Sequence, residues 1–224
     1  MTLFKTSVLN GIAVAIRILT LLGLNKVLAV YVGPAGYAVI GQFQNAMQMI
    51  TAVGSSAISN GVTKYTAEYH DDPMRQERLW RTAAAICLLG SLSTSLVIVV
   101  TRKQLAYWLL NDVRFASVFV WLALTLSLFV FNALLLAILN GKKEIGLYVT
   151  ANIAGSLIAL ALTVLLTVNH GLYGALVALA VYQSVAFVIT ASLVYRTGWF
   201  RQVRLFGPND KGVADVLWIP GQNR

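Results

Sequence analysis

From Ile145 to Tyr195 the chain runs for 51 residues without one Asp, Glu, Lys or Arg. As a straight helix that stretch would be about 75 Å long at 1.5 Å per residue, more than twice the roughly 30 Å hydrocarbon core of a bilayer. It must turn back on itself, and VNHGLYG, Val168 to Gly174, supplies the break. Composition agrees: 58% of the 224 residues are hydrophobic and 11% are charged, with a mean hydropathy of +0.74. A soluble domain carries about a quarter charged residues. The chain reads as an all-α, polytopic membrane protein.

Apolar segments of crossing length recur, and six spans are expected at about 6–30, 35–61, 82–101, 115–139, 145–168 and 173–195. GPAG, Gly33 to Gly36, separates the first two. The first span is read as a retained helix: a cleavable signal has an apolar core of only about 7–15 residues and no central arginine. With the N-terminus cytoplasmic, the inner segments hold twelve Lys and Arg (Lys5, Lys64, Arg75, Arg78, Arg81, Lys142, Lys143 and five after Tyr195). The outer ones hold four: Lys26, Arg102, Lys103 and Arg114. That asymmetry places both termini in the cytoplasm. Residues 1–205 form one transmembrane unit and 206–224 a tail.

The +9 charge does not point to nucleic acid, because the cations are scattered between apolar segments and form no stripe with interleaved aromatics. Cys87, the single cysteine, lies in an apolar segment and reads as a small buried hydrophobe. No acidic residue precedes Glu68 and none falls in any expected span, which argues against a cation exporter or a carboxylate proton relay. The acidic cluster of Glu68, Asp71, Asp72 and Glu77 alternates with Lys64, Arg75, Arg78 and Arg81, the pattern of a solvated, ion-paired face. No metal site, cofactor or nucleophile with its base is expected, so the chain is not read as an enzyme.

Two features suggest a ligand. Arg17 sits mid-span, where an arginine costs about 2.5–3.5 kcal/mol to insert. Asn10, one heptad earlier, shares its face. In the second span Gln44, Asn45, Gln48, Thr51, Ser55 and Ser59 fall between about 180° and 300° from Gln42 at 100° per residue, and Ser56 and Asn60 extend the arc to about 360°. Phe43, Ala46, Met47 and Ile50 fill the opposite half. Such a polar half lines either a hydrated cavity or a set of inter-helix bonds worth about 0.6 kcal/mol each. Arg17, lacking any carboxylate in the spans, meets either an anionic ligand such as a pyrophosphate or backbone carbonyls and a distorted bilayer. Lys26, nine residues on, points away from Arg17 on an unbroken helix and suits snorkelling.

NGVTKYTAEYHDDP, Asn60 to Pro73, and KVLAVYVGPAGYAVIGQF, Lys26 to Phe43, resemble the matching stretches of lipid-linked oligosaccharide flippases of the Wzx type. These serve O-antigen and enterobacterial common antigen synthesis, within the multidrug, oligosaccharidyl-lipid and polysaccharide exporter superfamily. The resemblance implies one six-helix lobe of a two-lobe alternating-access transporter in a bacterial inner membrane. Its substrate would be an undecaprenyl-pyrophosphate-linked oligosaccharide, moved from the cytoplasmic to the periplasmic leaflet. It also implies that Arg17, Lys26 and Lys64 stand at basic positions, that membrane lipid surrounds the lobe, and that polysaccharide polymerase machinery is a further partner. Such flippases continue into a second lobe, whereas this sequence stops at Arg224 after the polar ending GQNR. The expectation is a truncated, frameshifted or split product: either a half-transporter completed by a partner lobe or a homodimer, or a membrane protein that moves nothing.

Overall fold

In the computed structural model, residues 3–51 and 57–197 are described. Helix α1 spans Leu3–Thr51, α2 Ala57–Glu68, α3 Pro73–Leu110, α4 Ala116–Gly141 and α5 Ile145–Tyr195, with a 3₁₀ turn at Val113–Phe115. The architecture is all-α, and four helical stretches among the described residues are long and apolar enough to cross a membrane. Ser55 and the 206–224 tail lie outside the described residues.

Two of these helices break where the sequence predicts. In α5 the break is Gly171, at φ 56° and ψ −137°, a backbone setting that suits glycine. A Cβ on Gly155 would lie 3.6 Å from that of Ala186, although a straight helix would hold these residues about 46 Å apart. Thus α5 is an antiparallel hairpin. In α1 the break is Gly33, at φ 72° and ψ 175°, followed by Pro34, which has no N–H to donate. The Tyr37 hydroxyl donates to Asn25 Oδ1 at 3.0 Å across twelve residues, a rise of about 18 Å on a straight helix. The two hairpins with α3 and α4 make six long arms.

The helices run past the apolar segments that announce them. At 38 residues α3 is about 57 Å long, so its ends reach beyond a 30 Å hydrocarbon layer. Backbone hydrogen bonding does not stop where side chains turn polar. Asp72 caps its start, accepting from the Arg75 N–H at 3.1 Å with Pro73 in the first turn.

The central helix is α4, more than half buried along its apolar window at 56% and packed against α2, α3 and α5. Phe43 of α1 meets Phe119 of α4 edge to face at 5.6 Å, and both rings are fully buried. Hydroxyls bind α4 to its neighbours: Ser95 donates to the Ala123 carbonyl at 2.8 Å, Thr125 to that of Ala180 at 3.0 Å, and Ser184 to that of Thr125 at 2.8 Å. Between apolar helices, where lipid competes equally for hydrocarbon, such contacts and close packing hold the assembly. Cys87 is buried as expected.

Candidate functional site

A cavity of about 430 Å³ lies between both arms of α1, α4 and both arms of α5. It falls within the roughly 300–1,000 Å³ range of ligand sites. Arg17, Thr20, Leu21 and Leu24 reach it from the first arm of α1, at the i, i+3, i+4, i+7 spacing of one helical face. Gln44 enters from the second arm and Asn132 from α4. The first arm of α5 contributes Tyr148, Asn152, Ser156 and Thr163, again along one face, and the second contributes Tyr182 and Gln183.

Among the described residues Arg17 is the only charged one lining this space, and it is itself exposed. Behind it runs a chain of polar groups: Asn132 Nδ2 donates to Gln183 Oε1 at 2.9 Å, and Gln183 Nε2 donates to the Tyr182 oxygen at 3.2 Å. The Thr20 hydroxyl is spent on the Ile16 carbonyl at 2.8 Å, that of Ser156 on the Asn152 carbonyl at 3.0 Å, and the Asn152 amide on the Tyr148 carbonyl at 2.8 Å. Chemically this is one fixed cation beside neutral donors and acceptors.

Of the residues singled out in the sequence, Arg17 and Gln44 come together here. Asn45 and Gln48 are exposed on the same arm but do not line the cavity, because the polar half of that arm is wider than the wall it contributes. Asn10 belongs to α1, with its side chain outside the described part. Asn60 and Lys64 are exposed on α2 and Lys26 on α1, none of them on the cavity wall. Lys64 Nζ instead stands 5.5 Å from the Tyr65 ring centre. Asn132, Asn152, Tyr182 and Gln183 escaped notice. Their signal is an amide or phenol isolated in an apolar span, fainter than the polar half of the second span.

The Asn60–Pro73 block builds a junction of α2, α3 and α4. Trp80 Nε1 donates to the Thr66 hydroxyl at 2.9 Å and Gln76 Nε2 to the Thr66 carbonyl at 2.8 Å. Lys142 Nζ donates to Gln76 Oε1 at 3.3 Å, 5.2 Å from the Trp80 ring centre. Burial pulls Lys142 below the usual lysine range, against the opposing charge of Glu144. The outer side is solvated as expected: Tyr65 stacks on Tyr69 at 5.9 Å, and exposed Arg75 pairs with Asp72 at 3.1 Å.

Apolar helices around a polar cavity, with one arginine and no carboxylate on its wall among the described residues, have the form of a polytopic membrane protein. The chain belongs to the family described as polysaccharide biosynthesis protein, whose model matches residues 3–217. Within that class it is similar to the lipid III flippases of Escherichia coli (strain K12) and Shigella flexneri, at 28% identity over 217 residues in each case. The match covers 97% of this chain and 52% of each relative, so the chain spans about half the length of these curated relatives. No solved structure gives a significant match.

Proposed function

We propose that this chain is a six-span lobe of a transporter that moves an undecaprenyl-pyrophosphate-linked oligosaccharide from the cytoplasmic to the periplasmic leaflet of a bacterial inner membrane. Both termini are cytoplasmic in this reading, and the product serves surface polysaccharide synthesis. The observation that carries it is Arg17: an arginine on a cavity wall that, among the described residues, holds no carboxylate and is otherwise amide, hydroxyl and hydrocarbon. A guanidinium fork suits a pyrophosphate, and each charge-assisted contact is worth about 1.5–3 kcal/mol. Family membership supports the same class of substrate. Arg17 and Gln44 meet the head group, with Asn10, Asn45, Gln48, Ser55, Asn60, Lys64 and Lys26 along the approach to it.

A second lobe completes the path. The exposure of Arg17 favours this version, since one wall leaves the cation open on the side that a facing lobe would close.

The test is expression in cells lacking their own flippase, with and without the remaining half of a relative supplied as a separate polypeptide. Reduced accumulation of the lipid-linked intermediate in either arm supports the transporter reading. Unchanged accumulation in both, with the chain correctly inserted, overturns it in favour of a membrane protein that moves nothing.

A further inference from the structure

We infer that the last turns of α3 form a site for the phosphate headgroup of an acidic phospholipid, met by Arg102 and Lys103 beside the rings of Tyr107 and Trp108. The inference stands apart from the transporter reading, since none of these residues lines the cavity that holds Arg17.

An open concavity of about 540 Å³ lies along α3 where its apolar segment ends. Two adjacent rows at i, i+4, i+8 spacing line it: Val99, Lys103 and Tyr107, then Val100, Gln104 and Trp108. Arg102 lines it as well. All seven residues are exposed, Trp108 at 76% and Val100 at 73%. Ile98, Ala106 and Leu110 turn another side of the same helix into the core, so the two rows face outward.

The order of side chains along α3 matches a bilayer boundary. Exposed Leu96, Val97 and Val100 come first, then the two cations, then the two aromatic rings. Helical side chains lean toward the helix N-terminus, so Tyr107 and Trp108 lie back over the turn that carries Lys103 and Gln104. Tyrosine and tryptophan are favoured at headgroup level, where one part of the ring is apolar and the other wet.

Charge selects the lipid. Among the described residues neither Arg102 nor Lys103 pairs with a carboxylate. Asp112, the acidic residue nearest in sequence, is already taken by Arg114 at 2.8 Å. The start of α3 differs, because Arg75 there pairs with Asp72 at 3.1 Å and Glu68, Asp71 and Glu77 offset the other cations. In the proposed topology the patch faces the side poor in Lys and Arg, so orientation gives no reason for two adjacent cations. A zwitterionic headgroup brings its own cation beside its phosphate, whereas an acidic one complements the pair. A free phosphate would leave Val99, Val100 and the rings uncovered. A phospholipid lays its acyl chains on Leu96, Val97 and Val100 while its phosphate meets the cations.

The experiment follows Trp108 fluorescence in the full chain in phosphatidylcholine nanodiscs, isolated as the difference between wild type and Trp108→Phe. Brominated phosphatidylglycerol or brominated phosphatidylcholine, added as a minor fraction, is the quencher. Phosphatidylglycerol reaches half-quenching at a mole fraction about 5- to 30-fold lower, the range of one to two basic side chains at an anionic surface. Arg102→Gln combined with Lys103→Gln removes that preference, and both positions are exposed, so the core is untouched. Arg17→Ala leaves the preference intact, whatever it does to the cavity. Equal quenching by the two lipids in the wild type, or a preference that survives the double variant, overturns the site. Loss of the preference in Arg17→Ala overturns it too, by placing the lipid elsewhere.

Discussion

The indole N–H of Trp80 donates to the hydroxyl of Thr66 at 2.9 Å, joining α3 to α2 with both side chains buried. Thr66→Val keeps the shape and removes this buried hydrogen bond, at a cost of about 0.5–1.5 kcal/mol. Trp80→Phe is also destabilising. The double variant loses less than the sum of the two, because each single change already removes the same bond. Equilibrium unfolding in mixed detergent micelles reads all three, and full additivity would reject the bond as a stabilising pair.

Gly141 lies where α4 crosses α2. A Cβ there would stand 2.7 Å from the Thr63 carbonyl oxygen and 2.7 Å from Thr66 Cβ. Gly141→Ala therefore destabilises by about 1–3 kcal/mol through overpacking. Gly90→Ala is the control of opposite sign: nothing lies within 4 Å of its Cβ position, and alanine favours a helix interior by about 0.5–1 kcal/mol. The same unfolding experiment ranks the two.

Orientation has a direct check. In a Cys87→Ala background, a single cysteine replacing exposed Lys64 is shielded from membrane-impermeant maleimide in intact cells, and one replacing exposed His170 is labelled. The reverse pattern would invert the proposed topology.

Acid sensitivity follows from the turn between α3 and α4. The Arg114 side chain and backbone N–H both donate to the Asp112 carboxylate, at 2.9 and 2.8 Å, and hold it below the usual aspartate range. A lowered folded pKa means that stability from this group is full above the unfolded value of about 3.9 and is lost as pH falls through the folded value. Asp112→Asn removes this acid limb. Unfolding midpoints that keep the same pH profile in both proteins would contradict it.

The sequence made the breaks legible because glycine and proline act locally: GPAG and VNHGLYG contain Gly33 and Gly171, where the backbone leaves helical angles. The apolar half of the second span was equally readable, since Phe43, Ala46 and Met47 all pack inward. Periodicity could not say which part of the polar half faces the cavity. That depends on where α4 and α5 stand, which is why Gln44 reaches the wall and Gln48 does not. Asn132 and Gln183 show the same limit: they are 51 residues apart and acquire meaning only when α4 and the second arm of α5 pack together. Lys64 was marked by resemblance alone, and its place beside Tyr65 answers to local surface contacts.

The central claim is that Arg17 meets a phosphate anion. Its most direct test is the affinity of the nanodisc-embedded chain for farnesyl pyrophosphate, compared between wild type and Arg17→Ala. Loss of one charge-assisted contact predicts binding weaker by about 10- to 100-fold, with helix content unchanged. Equal affinity in the two proteins would contradict the account.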